Sequence, residues 1–212
     1  MKAELLRVLA EAVATCTKCG LAQTRSQTVF GEGNPDAPLV IIGEGPGQQE
    51  DATGRPFVGK SGQLLDECLA NRGISRKHIY ISNVIRCRAC DFEDGRARNR
   101  PPSPEETLAC QPWLTATVEI IKPLVILCLG SPSANAVIRK GFKITQERGL
   151  WFDVPYATYA IASFHPSYIL RSHGIEFDKM RQTLIDDIEL ARLKVIEARM
   201  VLKNVEENRT QL

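Results

Sequence analysis

Apolar residues along this chain follow two periods, one typical of strands and one typical of helices. Short apolar runs bounded by turn residues have the length and composition of buried strands. These runs are residues 39–43, 78–85, 123–130 and 159–164. Helical spacing predicts helices over 61–73, 104–121 and from 177 to about 205. Strands that alternate with helices predict an α/β fold, with a parallel sheet and helices on both of its faces.

The two ends of the chain also have helical spacing. Leu5, Leu9, Ala12 and Val13 share one face of a predicted first helix. The C-terminal helix carries a longer apolar stripe, of which the first half is expected to pack on the sheet and the second half to project or to pair with a partner. The stripe comprises Met180, Leu184, Ile188, Ala191, Val195, Leu202 and Val205. Residues 149–155 indicate an edge ribbon. We expect residues 1–175 to form one domain and 176–212 to extend it.

Composition narrows the class of protein. A chain of 212 residues can bury a substantial core. Its formal charge of +2 predicts that any basic surface is local. The first residues carry acids at helical spacing, which is not the pattern of an export signal, and the apolar runs are too short to span a bilayer. We therefore expect a cytoplasmic protein without a membrane partner, in which seven cysteines more often bind metal than form disulfides.

The first predicted strand runs into a loop with the composition of a binding site. Residues 43–47 read GEGPG, and the acids Glu50 and Asp51 follow. In parallel sheets, ligands bind beyond the carboxyl ends of the strands, and glycines let backbone approach a flat ligand. The loop matches neither GxGxxG nor GxxxxGK[ST], and its acids would repel a phosphate. The pattern favours a ligand other than a phosphate.

Two more predicted strands end in polar side chains at the same edge. Asn83 lies near the end of one strand, and His165 follows another, while Phe57 comes shortly after the glycines. An aromatic face, an amide and a histidine together suit a nucleobase, which can be stacked and read along its polar edge. Each residue also has an ordinary structural explanation, as a packed ring, a structural hydrogen-bonding group or a capped loop residue.

The cysteines fall into close pairs and isolated positions. Cys16 and Cys19 form a CxxC pair that is open to a redox, metal-binding or incidental reading, and Cys87 and Cys90 form a second pair. Cys68 and Cys128 lie in apolar patterns and are expected in the core. The arginine-rich segment 86–100 is either a solvated loop or a phosphate-contacting surface. Ser103–Glu106 predicts a capping box at the start of the helix over 104–121.

Several of these stretches, taken together, resemble one known family. GEGPG with QQED, GRPFVG, NVIRC and HPSYILR are similar to the motifs of the family 4 uracil-DNA glycosylases, the branch that carries a [4Fe–4S] cluster. The resemblance runs in the same order from Cys16 to Arg171. It implies a three-layer α/β sandwich with a four-stranded parallel sheet flanked by helices. The implied activity is base excision repair, in which uracil is flipped out of DNA and its N-glycosidic bond is hydrolysed to leave an abasic site.

The resemblance also assigns roles to the candidate residues. Phe57 would stack on the flipped uracil, Asn83 would bind its Watson–Crick edge beside Gly45, and His165 would face O2. Glu44 or Asp51 would serve the attacking water or the developing cation. Leu170 and Arg171 are candidates for the wedge that fills the gap left by the base. These last two follow the HPS motif directly.

The family pattern makes Cys16, Cys19, Cys87 and Cys110 the ligands of the cluster. The loop between Cys87 and Cys110 looks longer than usual, and Cys90 is an alternative fourth ligand. By spacing alone the two CxxC pairs would form a zinc site, although the gap between them is far longer than in a zinc ribbon. The expected cofactor is the [4Fe–4S] cluster, in a structural role.

Two further departures from the family pattern bear on activity. Gly45 stands where the most active enzymes of the wider superfamily carry an aspartate, which predicts modest turnover. Asn99 stands where a related branch carries a histidine that traps uracil-DNA covalently, which predicts product release. The competing hypotheses are a uracil-DNA binding or trapping protein and a non-enzymatic iron–sulfur module. We expect nucleoid association, and a repair or replication protein on the C-terminal helix.

Overall fold

The fold is built on a mixed six-stranded sheet with a separate two-stranded hairpin. The structure, a computed structural model, describes residues 1–210, apart from the side chains of residues 205, 206 and 208–210. The strands are β1 (Glu32–Gly33), β2 (Leu39–Gly43), β3 (Tyr80–Asn83), β4 (Cys90–Glu93), β5 (Arg96–Asn99), β6 (Val125–Leu129), β7 (Trp151–Val154) and β8 (Ala157–Ser163). The sheet has the order β1-β3-β2-β6-β8-β7, and β4 pairs with β5 alone.

The four central strands of the sheet are parallel, as predicted. The strands β3, β2, β6 and β8 pair in parallel, while the edge strands β1 and β7 pair antiparallel with β3 and β8. The expected ribbon over 149–155 is β7. The predicted fold class is therefore confirmed, with two short edge strands added to the parallel sheet.

Helices cover both faces of this sheet and complete the three layers. They are α1 (Lys2–Ala14), α2 (Gln48–Thr53), α3 (Lys60–Asn71), α4 (Pro104–Ile121), α5 (Ser131–Val137), α6 (Ile144–Glu147), α7 (Pro166–Ile169) and α8 (Gly174–Thr210). Alternate residues of β2 face opposite layers: Leu39 and Ile41 pack with α3 and α8, and Val40 and Ile42 pack with α1, α4 and α5. Burial on both faces explains why this strand is continuously apolar.

Helix α8 packs on the sheet through its first half. Met180, Leu184, Ile188, Ala191 and Val195 of the predicted stripe are buried there. Leu202 is exposed, and the side chain of Val205 lies outside the described side chains. The boundary between residues 175 and 176 stays a prediction. No helix in residues 1–210 combines the length and apolar character that crossing a membrane requires.

The predicted face of α1 is confirmed at Leu9 and Val13 and wrong at Leu5 and Ala12. Leu6 and Val13 are buried, while Leu5 and Ala12 are exposed. The buried face uses positions 6, 9, 10 and 13, which are also spaced as neighbours on a helix. The predicted face and the observed face of α1 both carry apolar residues, so the pattern alone does not distinguish them. Packing of α1 against α4 decides which face is buried.

The ends of two helices show one confirmed and one corrected prediction. In α4, the Ser103 hydroxyl accepts from the main-chain N–H of Glu106 (3.2 Å), and the Glu106 carboxylate accepts from Ser103 N–H (2.8 Å), which is the predicted capping box. Helix α3 starts at Lys60, one residue before the predicted start at residue 61, and ends at Asn71 rather than at residue 73. The N-cap there is Gly59, whose N–H donates to the distant carboxylate of Glu50 (2.8 Å).

The arginine-rich segment is a β-hairpin preceded by buried arginines, and not an open loop. Asp94 and Gly95, with φ of 49° and 74°, form the turn between β4 and β5. This Asp-Gly pair is a typical hairpin signal that the prediction did not use. Arg86 and Arg88 are buried, so the reading of a wholly solvated loop is wrong for these two residues.

Candidate active site

The predicted site residues that follow the strands meet in one cleft at the carboxyl edge of the sheet. Glu44, Gly45, Phe57, Asn83 and His165 all line it. Its volume is about 530 Å³, which falls within the range of roughly 300–1,000 Å³ typical of small-molecule sites. The parallel register explains the convergence, because the last residues of β2 and β3 pair directly and β8 ends two residues before the histidine.

Gly43, the last residue of β2, lets two of these side chains approach each other. A Cβ at this position would lie 2.5 Å from the Asn83 Oδ1 atom and 2.5 Å from Cζ of Phe57. The bare Cα thus forms the floor on which the amide and the aromatic ring sit. A glycine is required here by close packing, and its backbone angle is not unusual.

Replacing Gly43 with alanine should therefore disturb the cleft from beneath. We expect the Cβ to displace the Phe57 ring or the Asn83 amide, and overpacking of this kind to lower the free energy of unfolding by about 1–3 kcal/mol. Urea unfolding and single-turnover uracil excision would be measured on the same preparation. An unchanged excision rate would show that neither group depends on this floor.

Asn83 presents an unused acceptor to the cleft. The residue is 2% exposed, and its Oδ1 atom has no hydrogen-bond partner within the described residues. A buried acceptor without a hydrogen-bond partner lowers the stability of the fold unless a ligand donates a hydrogen bond to it. The backbone of Asn83 is held from behind, because Nη1 of the buried Arg86 donates to its carbonyl (2.9 Å) and also to the Ser82 hydroxyl.

His165 is held in one tautomer. Its Nδ1 atom accepts from the main-chain N–H of Ser167 (3.1 Å) and lies 2.8 Å from the Ser167 hydroxyl. Burial, reinforced by the positive charge of Arg171, lowers the pKa of His165 to about 4. At neutral pH the ring is therefore uncharged, and its proton is on Nε2. The ring centroid lies 5.8 Å from that of Phe57.

The three acids of the loop have different environments. Glu44 lines the cleft, burial raises the pKa of its carboxyl, and it has no ionic or hydrogen-bonding partner among the described residues. Glu50 also lines the cleft but is used to tie the loop together through the N–H groups of Gly47, Val58 and Gly59. Asp51 is not brought into the cleft. It is buried, and both its oxygens accept from Ser26 N–H (3.0 and 3.1 Å).

One wall of the cleft is supplied by the end of the hairpin. Asn99 and Arg100 line it, together with the two prolines that follow. The side-chain oxygen Oδ1 of Asn99 accepts from Nε of Arg88 (2.7 Å). The side-chain amino group of Asn99 therefore lies on the side of Gly47. Arg100 is paired with Asp91 (3.0 Å) and Glu106 (2.7 Å) and so anchors the hairpin to α4.

The two wedge candidates follow the short helix α7, and of the two Arg171 is a residue that lines the cleft. Leu170 is partly exposed, and Arg171 lines the cleft with its guanidinium over the ring of Tyr168 (5.3 Å). Tyr168 itself is exposed. The segment 168–171, which follows His165, therefore exposes an aromatic ring, an apolar side chain and a cation.

The cysteines named by the family pattern lie around a second, smaller cavity. Cys16, Cys19, Cys87 and Cys110 all line it, and Cys90 does not. Cys90 is buried at the start of β4, opposite Asn99. Cys68 and Cys128 are buried in the core, as predicted. Within residues 1–210, no three His, Cys, Asp or Glu side chains are grouped so as to hold a single metal ion.

Positive groups surround the cavity between these cysteines. Nη1 of Arg25 donates to the Sγ atom of Cys87 (3.3 Å), and the main-chain N–H of Arg86 donates to Sγ of Cys110 (3.3 Å). Lys18 lies over the ring of Trp113, and both line the cavity. Burial raises the pKa of Cys110 to about 11, although the charge of Arg86 opposes this effect. Sulfur ligands of a negatively charged centre would find compensating donors and cations here.

Sequence reasoning missed the residues that hold the site from outside. Arg86, Ser167 and Arg76 contact the backbone or ring of Asn83, His165 and Phe57 respectively. Ser167 had a local signal, since a serine two residues after a histidine can donate its N–H back to the ring. The two arginines had none, because their partners are fixed only by the packing of separate elements.

Comparison with known proteins shows the family of this chain. The model of the family described as the uracil DNA glycosylase superfamily matches residues 30–189. The chain belongs to this superfamily. It is 43% identical over 190 residues to a type-4 uracil-DNA glycosylase of Thermotoga maritima, covering 89% of this chain and 94% of the relative. It is 37% identical over 183 residues to the enzyme of that name from Pyrobaculum aerophilum, covering 82% and 90%.

A third relative with the same name shows that the likeness is not confined to one organism. The type-4 uracil-DNA glycosylase of Archaeoglobus fulgidus is 36% identical over 174 residues, covering 79% of this chain and 84% of the relative. The resemblance identified from the motifs is thereby confirmed, and so is its placement in the uracil-DNA glycosylase superfamily.

Proposed function

We propose that this protein excises uracil from DNA with Phe57, Asn83, His165 and Glu44 as its working side chains. The predicted activity and enzyme class agree with the names of its relatives, which are type-4 uracil-DNA glycosylases. The observation that carries the residue assignment is the buried, unpartnered Oδ1 atom of Asn83 in the cleft, beside Phe57 and His165. A group with a matching donor is needed there.

Uracil supplies that donor. Its N3–H can donate to Oδ1 of Asn83, and its O4 can accept from the side-chain amino group, while the base stacks on the ring of Phe57. Cytosine has an acceptor at N3 and a donor at the neighbouring position, so it would leave buried groups unpaired. The same amide therefore binds uracil and rejects cytosine.

The bond-breaking step puts negative charge on the leaving uracil. As the bond from C1′ to N1 breaks, the electron pair moves onto the base. The negative charge accumulates at O2, to which the Nε2–H group of a neutral His165 can donate a hydrogen bond. One such donor is worth about 3–4 kcal/mol in comparable sites. Water adds to C1′, and its proton is lost to solvent or to a base.

Glu44 is the acid that we assign to the water or to the developing cation. Its carboxyl lines the cleft, and burial raises its pKa, which makes the carboxylate a stronger base. Asp51, the other candidate, already uses both oxygens on Ser26 N–H. Gly45 provides no acid, and a Cβ there would lie 2.7 Å from Cγ1 of Ile85. An aspartate at this position would therefore require Ile85 to move.

We propose that the product is released rather than trapped. Trapping requires a nucleophilic side chain in the loop beside the sugar, and the residue at that wall is the amide Asn99, oriented by Arg88. The segment between Cys87 and Cys110 contains no histidine. An amide cannot form the covalent bond that a histidine can.

Uracil-containing DNA would lie across the mouth of the cleft. Leu170 and Arg171 would fill the space left by a flipped base, which would offset part of the cost of flipping. Arg96 and Arg98 on the hairpin are exposed, with Arg98 paired to Glu93 (2.8 Å), and phosphate contacts from such side chains would position the duplex. This basic surface is local, consistent with the small net charge.

The cofactor that we propose is a [4Fe–4S] cluster on Cys16, Cys19, Cys87 and Cys110. These four thiols share one cavity, with donors and cations around the sulfur atoms, and a [4Fe–4S] cluster is held by four cysteine thiolates. When bound, the cluster supplies a cross-link between α1, the Cys87 segment and α4. Through Cys87, this cross-link would keep the neighbouring Arg86 and the hairpin beside the cleft.

Two cysteine variants distinguish the ligand sets. Replacing Cys110 with alanine should remove iron and its visible absorption and lower stability, because three ligands do not complete the set. Cys90→Ala is the matched control, since Cys90 follows Cys87 closely in the chain but lies outside the cavity. Iron content per chain is the measurement. Loss of iron in Cys90→Ala with retention in Cys110→Ala would make Cys90 the ligand.

The exposed part of α8 supports a partner. Leu193, Ile196 and Met200 share one face of α8, and all three are exposed. We propose that this face pairs with a repair or replication protein. Because the proposed substrate is uracil-containing DNA, we also propose that the protein works in the cytoplasm in association with the nucleoid.

The direct test uses a labelled oligonucleotide with one uracil. Strand breakage at the uracil only after hot alkali is expected, since a monofunctional glycosylase leaves an intact backbone at an abasic site. An SDS-resistant complex would contradict product release. Absence of both products from protein with a full cluster would overturn the proposed activity.

A further inference from the structure

The backbone of Phe57 is held in an unusual conformation. Its φ is 53°, in the left-handed region that a residue with a Cβ rarely adopts. The side chain is nevertheless buried, with its ring near that of His165 and against Gly43. Such a conformation persists only where the surroundings impose it. Something outside the ring must therefore hold this backbone.

The guanidinium of Arg76 holds the carbonyl end of this backbone, while the Glu50 carboxylate accepts from the N–H of the same peptide group, that of Val58 (2.9 Å). Nη2 of Arg76 donates to the carbonyl oxygen of Phe57, and its Nη1 donates to the carbonyl oxygen of Pro56 (2.9 Å). From the other side, Gly62 of α3 packs so closely that a Cβ would lie 1.7 Å from the Phe57 oxygen. The peptide group is thus clamped between an arginine and a bare Cα.

Arg76 is itself fixed by acids from two different elements. Glu32 of β1 accepts from its Nη1 (2.7 Å), and Asp66 of α3 accepts from its Nε (2.9 Å). The planar fork therefore links the edge of the sheet, α3 and the loop that carries Phe57. A lysine could keep one ion pair but could not donate to both carbonyls and both acids at once.

We propose that Arg76, which lies outside the cleft, is a positioning residue that sets the orientation of Phe57 for stacking on the flipped base. The inference rests on the proposed role of Phe57 as the stacking surface. Without Arg76, the backbone can relax towards ordinary φ values. That relaxation would tilt or withdraw the ring while leaving the groups that touch uracil chemically intact.

The test compares Arg76→Lys with Arg55→Lys. Arg55 pairs with the same Glu32 (2.8 Å) but donates to neither carbonyl, so it is a matched control for loss of the ion pair. We expect Arg76→Lys to slow single-turnover excision by about tenfold to a hundredfold and to weaken inhibition by free uracil. Arg55→Lys should change neither. Equal effects of the two variants would overturn the inference.

A double-mutant cycle with Phe57→Ala separates positioning from a general structural role. If Arg76 acts through the ring, Arg76→Lys should add little to the defect of Phe57→Ala, whereas independent effects would multiply. Multiplying effects would overturn the inference. Normal activity of Phe57→Ala would instead overturn the proposed stacking role itself, a distinguishable result.

A milder variant covers the case in which Arg76→Lys folds poorly. Asp66→Asn removes the negative charge of one anchor of the guanidinium and leaves both carbonyl contacts in place, and Asp66 is partly exposed. We expect a smaller loss of the same kind, in excision rate and in uracil inhibition together, which is suppressed by Phe57→Ala. A loss that persists fully in the Phe57→Ala background would contradict the proposal.

Discussion

Replacement of His165 with alanine is expected to slow uracil excision by about 10²–10³-fold, the effect of removing one donor to a developing oxyanion. The loss should fall on the single-turnover rate more than on DNA binding, because O2 of uracil gains its charge only as the bond breaks. Single-turnover rates at saturating enzyme and fluorescence anisotropy of uracil-DNA binding would measure the two separately. His78→Ala is the control, since His78 is exposed and away from the cleft. A defect confined to binding would contradict the assigned role.

The pH dependence provides a second readout for the same residue. The pKa of His165 is about 4 in the folded protein, and about 6.5 is the ordinary value for an unfolded chain. The unfolded chain therefore binds a proton before the folded one as the pH falls. The stability that this residue contributes is present above pH 6.5 and is lost between about 6.5 and 4. Urea unfolding should show a shallower acid loss in His165→Ala than in the parent.

Activity should follow a different group over the same range. His165 stays neutral down to its lowered pKa, so it should not limit excision between pH 5 and 8, which are roughly the bounds of an ordinary assay. Glu44 has a raised pKa, and loss of its carboxylate on acidification should define the acid limb of the rate. Glu44→Gln should slow excision and flatten that limb. An acid limb unchanged by this substitution would remove Glu44 from the assigned role.

Replacement of Asn83 with alanine should have the other large effect. Two hydrogen bonds to uracil are lost, at about 1–3 kcal/mol for each group left unsatisfied, which corresponds to a loss of about 10²–10⁴-fold in kcat/KM. Free uracil should also inhibit the variant more weakly. The contacts of Arg86 would survive, because they involve the backbone carbonyl of Asn83 and the Ser82 hydroxyl.

Stability distinguishes recognition from architecture in this variant. Oδ1 of Asn83 is buried without a hydrogen-bond partner among the described residues. Its removal therefore eliminates a desolvation penalty and breaks no hydrogen bond. The free energy of unfolding of Asn83→Ala should therefore not fall below that of the parent. A loss of stability in step with the loss of activity would indicate that the amide supports the fold rather than the substrate.

Predictions from pattern succeeded where local chemistry decides the outcome. The continuous apolar run of β2 predicted a strand buried on both faces, and the serine–glutamate spacing predicted the start of α4. The positions of Asn83 and His165 after strands of one parallel sheet predicted that they would meet. The hairpin of the arginine-rich segment was also within reach, because Asp94-Gly95 is a turn signal.

The sequence by itself therefore determined the α/β class, the order of the strands along the chain, the family and the side chains at the carboxyl edge of the sheet. Only the tertiary structure decided how those side chains are held. It placed Asp51 under Ser26 N–H rather than in the cleft, buried Arg86 behind Asn83, and directed Arg76 at the backbone of Phe57. The physical reason is that a strand or a cap depends on neighbours in the chain. The partner of a buried charge is chosen by the packing of elements far apart in sequence, for which no local pattern exists.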